Sequence, residues 1–332
     1  MSVAASVATA RGDVPVDRIG RTLMHEHIFT STLEVTVNWP QTFGDEDAHV
    51  AAAVANLEAA AAVGIDTLVD LTVVGLGRYI PRIVRVAEQT SVNIVVATGV
   101  YALTELPRYF QWRGPGTNLG GPEMMDDLFV HDIEVGIADT SVRAGILKCV
   151  TDHYGLTPGV ERALRAVARA HRRTGVPIAT HTGGPPTGLE QQRIFREEGV
   201  NLSRVIIGHV GDSPDMDYVQ RLLDNGCVIG MDRFGIGPGF PFPEGHRGDT
   251  ARVETVARLC ERGYAAQLVL SHDAATHRDL ARTDDIGLGV VGYTHLSTTI
   301  VPMLLDRGVT PEQLDTMMIG NPARLLGPHG SY

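Results

Sequence analysis

Short apolar runs recur along the chain, and each has the length of a buried strand in a parallel sheet. Between most of them lie segments in which apolar residues return every three or four positions, the period of an amphipathic helix. Strands are predicted at residues 23–27, 67–72, 94–99, 144–150, 177–181, 205–209, 228–231 and 268–271, and helices at 51–63, 78–88, 160–173, 189–197, 215–225 and 249–262. This alternation indicates a parallel sheet that is covered by helices.

The number of strand–helix units favours a closed barrel over an open sheet. An open doubly wound sheet usually has a glycine-rich phosphate loop after its first strand, whereas this first strand ends in His25-Glu26-His27. No repeat, linker or low-complexity tract divides the chain. We therefore predict an α/β fold, a single-domain (β/α)8 TIM barrel over residues 1–332, with its functional side chains at the carboxyl ends of the strands.

Composition excludes several classes of protein. Apolar residues make up 43% of the 332 positions and charged residues 20%, which suits a large core and not a disordered chain. The formal net charge is −11 and no run of Lys and Arg is present, so we expect no nucleic-acid partner. No segment approaches the ~20 apolar residues of a membrane span, and no membrane partner is expected.

Cysteine usage and the first residues bear on location. Cys149, Cys227 and Cys260 are odd in number, widely spaced and embedded in apolar segments, as reduced core residues are. The first ten residues lack the positively charged region of a secretory signal. We expect a cytoplasmic protein.

Candidate metal ligands follow several of the predicted strands. Residues two apart on a strand point the same way, so His25 and His27 present two imidazoles to one point while Glu26 faces elsewhere. Such a pair is weak evidence alone, but further candidates each close an apolar run: Lys148, His181, His209 and Asp273. The carboxyl ends of parallel strands share one edge, so this pattern indicates a divalent-metal site.

Lys148 needs a separate explanation, because an ammonium group has no lone pair with which to bind a cation. A buried lysine near cations loses its proton readily, and the neutral amine can take up carbon dioxide to become a carbamate with two anionic oxygens. The alternative is a lysine that pairs with a carboxylate at the barrel rim.

These residues together resemble the phosphotriesterase-like branch of the amidohydrolase superfamily. The resemblance rests on His25-x-His27, Lys148, His181, His209 and Asp273, and on the C-terminal sequence Gly320-Asn321-Pro322-Ala323-Arg324. It implies two divalent metal ions, one held by His25, His27 and Asp273 and the other by His181 and His209. It further implies that N6-carboxylated Lys148 and a hydroxide bridge the ions, and that Asp273 takes the proton after the hydroxide attacks. Zinc suits such ligands, as do cobalt, iron and manganese.

Two more positions bear on the substrate. In the resemblance, lactonases carry a Tyr at the position of Tyr101 and an Arg at that of Arg233, where organophosphate hydrolases have Trp and His. This implies hydrolysis of lactones, above all N-acyl-homoserine lactones (quorum quenching) and related γ- and δ-lactones, with Tyr101, Arg233 and Asp273 as catalytic residues. A phenol can donate to a lactone oxygen, and an arginine can orient it. Apart from the resemblance, Tyr101 fits a strand-end tyrosine, and Arg233 fits a salt bridge with Asp232 or another carboxylate.

Other functions remain open at this point. A phosphotriesterase or another amidohydrolase is the main alternative, a metal-silenced barrel acting as a binding or scaffold protein is a second, and a barrel nuclease is disfavoured by the acidic charge. The resemblance also implies a homodimer. Segments 235–248 and 274–293 are candidate active-site loops whose apolar side chains could line an acyl channel: Phe234, Ile236, Phe240, Phe242, Leu288, Val290, Val291 and Tyr293.

Overall fold

Nine parallel strands form one curled sheet in the computed structural model, which describes residues 5–237, 248–279, 292–328 and 330–332. The strands are β3 (Thr22–Thr30), β4 (Thr67–Asp70), β5 (Asn93–Gly99), β6 (Ile146–Thr151), β7 (Ile178–Thr182), β8 (Val205–Ile207), β9 (Val228–Met231), β10 (Leu268–Leu270) and β11 (Ala275–Arg278). A separate antiparallel hairpin, β1 (Ser6–Thr9) with β2 (Gly12–Pro15), precedes them. The predicted parallel α/β architecture is confirmed.

Helices follow the strands along the chain. They are α1 (Leu33–Asn38), α2 (Glu46–Ala62), α3 (Ile80–Ala87), α4 (Arg108–Trp112), α5 (Met125–Glu134), α6 (Pro158–Thr174), α7 (Thr187–Glu197), α8 (Met216–Asp224), α9 (Asp249–Glu261), α10 (Val301–Asp306), α11 (Pro311–Asp315) and α12 (Asn321–Leu326). The sequence did not predict α5, whose N-cap residue Met124 makes no side-chain capping hydrogen bond, so the helix lacks a start signal.

The sheet separates two apolar cores, because successive side chains of a strand point to opposite faces. On β7, Ile178 packs in the outer core against the helices while Ala179 lies in the inner core. Each strand from β3 to β10 contributes to the inner core, through Met24, Val69, Val95, Ile146, Ala179, Ile206, Val228 and Val269. Because all eight strands contribute side chains to one core, their carboxyl ends lie along the same edge of the curled sheet.

The strands are ordered β10-β9-β8-β7-β6-β5-β4-β3-β11, and β10 and β11 are consecutive in the chain. Between them, the amide of Asp273 donates to the carbonyl of His25 at 3.1 Å, and the amide of His27 donates to the carbonyl of Ala274 at 2.8 Å. This segment therefore brings the two ends of the strand order together beside His25 and His27.

Within the part of the chain that the structure describes, no helix combines the length and apolar character needed to cross a membrane.

Candidate metal centre

His25 and His27 converge on one carboxylate at the carboxyl end of β3. The Nε2 atoms of His25 and His27 lie 3.8 Å and 3.3 Å from Oδ1 of Asp273. The pairing of β3 with β4 changes register between Leu23 and Glu26, and such irregularities re-aim side chains next to functional sites. Glu26 bonds to His272 instead, so it faces away from the histidine pair.

Hydrogen bonds at the Nδ1 atoms fix how three imidazoles point. Asp232 accepts from His25 at 2.7 Å through Oδ2 and from His209 at 3.0 Å through Oδ1. The Nδ1 atom of His27 contacts the Thr72 hydroxyl at 2.9 Å. These contacts turn Nε2 of each ring toward the side of Asp273, and with the proton on Nδ1 the lone pair is on Nε2, which is how histidine ligands are commonly oriented.

Two members of the cluster occupy the left-handed backbone region, which side chains other than glycine rarely adopt. His209 has φ 62° and Asp273 has φ 55°. His209 lies two residues beyond the end of β8, and its amide donates to Asp232 at 2.8 Å. We attribute these conformations to the contacts that hold both side chains at the centre, since strained backbone of this kind is concentrated at functional sites.

His181 completes the group of imidazoles from β7. Its Nδ1 atom lies 3.0 Å from Nε2 of His209 and 3.4 Å from the Tyr101 hydroxyl. On the other side of the ring, Nε2 lies 3.4 Å from Oδ2 of Asp152. His181 therefore turns Nδ1 toward the centre, whereas His25, His27 and His209 turn Nε2.

Lys148 is the only lysine in the chain, and its side chain is buried beside His25. Its Nζ atom lies 3.1 Å from Nε2 of His25. Burial lowers the pKa of the amine from 10.5 to about 8, which raises the fraction of neutral amine at neutral pH. On β5, a side chain at Gly99 would collide with the Lys148 carbonyl, so glycine is needed there.

Arg233 reaches the centre from the segment after β9. Its Nε atom lies 3.4 Å from Oδ2 of Asp273, and one terminal nitrogen lies 2.9 Å from Asp212. Asp212 also accepts from the buried Arg252 at 2.6 Å. Of the two alternatives that the sequence left open for a salt bridge of Arg233, the structure shows other carboxylates, Asp212 and Asp273, while Asp232 bonds to histidines.

The protonation states of the cluster suit metal binding. Burial lowers the pKa of His181 to about 4 and that of His209 well below its ordinary value, so both rings are neutral ligands near pH 7. Burial opposes ionisation of Asp273, but its contacts with His27, His209 and His25 hold its pKa below the usual range. Neutral imidazoles beside an ionised carboxylate are donors that divalent transition metals accept.

Among the described residues, two groupings of side chains have the spacing of metal ligands: His25, His27 and Asp273, and His25, His209 and Asp232. The first presents Nε2 atoms and fits a metal ion. In the second, Asp232 already accepts hydrogen bonds from both Nδ1 atoms, so we assign it to orienting the rings. The residues present therefore fit a metal centre around Asp273.

The structure thus brings together all eight residues singled out in the sequence: His25, His27, Tyr101, Lys148, His181, His209, Arg233 and Asp273. Two further residues of the centre were not predicted from the sequence as site residues, Asp152 and Asp232. Asp232 directly follows β9 and so carries the same strand-end signal as the predicted ligands. Of the apolar loop residues, Phe234 and Tyr293 are buried, whereas Phe240, Phe242, Leu288, Val290 and Val291 fall outside the described residues.

The sequence profile of the phosphotriesterase family matches residues 5–326. The chain belongs to the phosphotriesterase family. The match covers nearly the whole chain, including every residue of the candidate centre. Membership of this family supports the conclusion that the protein is a hydrolase.

Named relatives agree with the family assignment. A phosphotriesterase homology protein of Mycobacterium tuberculosis is 54% identical over 327 residues, with 98% of each chain covered. An aryldialkylphosphatase of Saccharolobus solfataricus is 36% identical over 319 residues, covering 93% of this chain and 95% of the relative. A solved structure of the phosphotriesterase from Mycobacterium tuberculosis has a TM-score of 0.93 and 52% identity, with coverage of 98% of this chain and 100% of that one.

Proposed function

We propose that this protein is a binuclear metal-dependent lactonase that hydrolyses N-acyl-homoserine lactones and related γ- and δ-lactones. The observation that carries the metal dependence is the convergence of His25, His27 and His209 on Asp273, with Lys148 and His181 in contact with the same group. His25, His27 and Asp273 would hold one ion, and His181 and His209 the other. Bound divalent ions supply the Lewis acidity that activates water and polarises a carbonyl oxygen.

We propose that Lys148 is N6-carboxylated and contributes its anionic oxygens to both metal sites. The neutral amine adds to the carbon of carbon dioxide: a nitrogen–carbon bond forms, one carbon–oxygen π bond breaks and leaves the negative charge on oxygen, and the proton lost from nitrogen passes to solvent. Burial supports this proposal because it disfavours the ammonium form, and the Nζ atom already lies 3.1 Å from a proposed ligand, Nε2 of His25.

Tyr101 and Arg233 favour a lactone substrate. The Tyr101 hydroxyl lies 3.4 Å from His181, and burial raises the phenol's pKa, so the hydroxyl stays protonated and can donate to a lactone oxygen. Arg233 contacts both Asp212 and Asp273, and these two contacts hold its guanidinium beside the candidate metal centre, where the lactone would bind. Asp273 is the carboxylate placed to take up and return a proton.

Phosphotriester hydrolysis is the second candidate, and the 36% identical aryldialkylphosphatase favours it. The two functions share the metal centre and differ in the atom that is attacked, which is the carbonyl carbon of a lactone or the phosphorus of a phosphotriester. One kinetic panel separates them: N-acyl-homoserine lactones of several chain lengths, simple γ- and δ-lactones, and one aryl dialkyl phosphate. We expect lactones to have the higher kcat/KM by at least roughly 100-fold, and the reverse order would assign the protein as a phosphotriesterase.

Metal analysis accompanies that panel. We expect about two divalent ions per chain when carbon dioxide is present. A chain that binds no metal and opens no lactone would instead fit the scaffold alternative.

We also infer that the curled sheet is a closed (β/α)8 barrel forming one domain over residues 1–332, because the segment between β10 and β11 bonds to β3. A homodimer with a small-molecule lactone substrate is proposed from the family, and light scattering after size exclusion tests the dimer. Cys149, Cys227 and Cys260 are buried free thiols, which supports a reducing, cytoplasmic location.

A further inference from the structure

Arg278 places a second guanidinium at the candidate metal centre. One of its terminal nitrogens donates to the main-chain carbonyl of Asp273, and the same nitrogen lies 3.9 Å from Oδ1 of that residue. That carboxylate oxygen is the one that His25 and His27 face. The cation of Arg278 is thus one contact away from the proposed metal ligands.

The strand register shows on which side of the ligands Arg278 lies. β11 pairs with β3 so that Ala275 is opposite His27 and Arg278 is opposite Thr30. The Arg278 backbone is therefore three positions, or about 10 Å, closer to the carboxyl edge than the histidine pair. Its side chain turns back from that edge to Asp273, and 24% of it is exposed, against 8% for Arg233.

The two arginines differ in their partners. Arg233 has a second carboxylate partner besides Asp273, because it pairs with Asp212 at 2.9 Å, a residue that it shares with Arg252. In the part of the chain that the structure describes, the only carboxylate within 4.0 Å of Arg278 is Asp273, and Nε and Nη1 of Arg278 have no hydrogen-bond acceptor. The neighbouring Asp279 is used elsewhere, since its carboxylate accepts from the amide of Thr32.

Among the described residues, Arg278 therefore has no carboxylate that pairs with it alone. The Asp273 carboxylate also lies within 4.0 Å of nitrogen atoms of four other side chains, those of His25, His27, His209 and Arg233. Under the proposed function, a bound metal ion would balance its negative charge. A guanidinium stays ionised at any relevant pH, and its planar fork matches carboxylate and similar oxyanions. A partly buried arginine next to further cations is stabilised when a bound anion supplies the missing charge.

We propose that Arg278 gives this site a second substrate class beside the neutral acyl-homoserine lactones, namely lactones that carry an anionic oxygen group, such as a carboxylate, next to the ring that is opened. This inference rests on the proposed lactonase function and deepens it by naming a substrate class. The anionic group would bind Nε and Nη1 of Arg278 at the carboxyl edge of the sheet, while the ester carbonyl lies at the metal centre.

A matched pair of substrates tests the proposal on the metal-loaded protein. The carboxylate 5-oxotetrahydrofuran-2-carboxylate and its carboxamide have the same ring and nearly the same shape but differ in charge. We expect the wild type to prefer the carboxylate, and we expect Arg278→Gln to lower the ratio of the two kcat/KM values by roughly 10- to 100-fold, the loss for a charged hydrogen bond. Arg278→Lys should retain part of the preference.

Arg258→Gln is the control, because Arg258 is an exposed arginine of α9 that pairs with Glu254, and its loss changes the net charge equally. This variant should keep the wild-type ratio. Calorimetric titration with the ring-opened dicarboxylate gives a readout that does not depend on turnover, and its Kd should rise by a similar factor in Arg278→Gln alone.

The outcomes separate the two proposals. The wild type could open the carboxamide as well as the carboxylate, with both rates lowered in parallel in Arg278→Gln. In that case Arg278 only positions Asp273 through its hydrogen bond to the main-chain carbonyl, and this inference is wrong. If the metal-loaded wild type opens neither these lactones nor acyl-homoserine lactones, the proposed lactonase function fails first.

Discussion

Glu26 and His272 form a buried hydrogen-bonded pair on the side of β3 that faces away from His25 and His27. Oε1 of Glu26 lies 2.7 Å from Nδ1 of His272. Each is a sequence neighbour of a proposed ligand, since Glu26 lies between His25 and His27 and His272 precedes Asp273. The Glu26 carboxylate also accepts from the amides of His272 and Ala274 at 2.8 and 2.9 Å. Glu26 of β3 therefore holds residues 272–274, which include Asp273, against that strand.

Replacing Glu26 should destabilise the fold more than any effect on surface charge can explain. Glu26→Ala leaves an imidazole and two amides without their buried acceptor, and we expect a loss of about 3–5 kcal/mol in the free energy of unfolding. Urea denaturation of metal-free protein, followed by circular dichroism, measures it. Glu254→Ala removes an exposed carboxylate that pairs with Arg258 and Arg307, and it should change stability little. Equal losses in both variants would contradict this role.

Most residues of the centre could be predicted from the sequence, because side chains alternate between the two faces along a strand. His181 lies on β7 and Lys148 on β6, so counting positions along an apolar run was enough to place them. His209 was expected within a strand, but β8 ends at Ile207 and the histidine adopts a left-handed backbone held by Asp232. No local pattern encodes that contact, because it joins residues from two different strand ends.

Arg278 illustrates the same limit. In sequence it is one of many arginines, and nothing in its neighbourhood marks it as part of a site. Its position becomes evident only when β11 pairs with β3 and its side chain reaches back to Asp273. Similarly, Asp232 was considered only as a partner of Arg233, although it orients two histidines.

Asp232 should control metal affinity without binding metal itself. Asp232→Asn keeps the size but has one acceptor oxygen where His25 and His209 need two. We expect metal affinity to fall by roughly 10- to 100-fold, as measured by competition with a chromophoric chelator. Asp132→Asn is a matched control, since Asp132 contacts Arg78 and Thr98 and no proposed ligand. Unchanged affinity in Asp232→Asn would show that the rings are held by other contacts.

Lys148 allows an unusually direct test, because the chain has no other lysine. Protein labelled with ¹⁵N at the lysine side chain and incubated with ¹³C-bicarbonate and zinc should show a carbamate carbon coupled to that nitrogen. Lys148→Ala should lose metal and activity together, and a short carboxylate such as acetate should restore part of both, because it supplies the missing anionic oxygens. A fully active Lys148→Ala variant, or wild-type protein with two metals and no coupled signal, would show that no carbamate is needed.

Tyr101 should affect turnover and leave metal binding intact. Tyr101→Phe keeps the ring packed against His181 but removes the hydroxyl that lies 3.4 Å from that histidine. If the phenol donates to the lactone oxygen as charge develops, kcat should fall by roughly 100-fold while the metal content stays at the wild-type value. Tyr109→Phe, at an exposed tyrosine, controls for hydroxyl loss as such. A rise in KM with unchanged kcat would instead mean that Tyr101 binds ground state and transition state equally, and loss of metal would mean that its hydroxyl serves to orient His181.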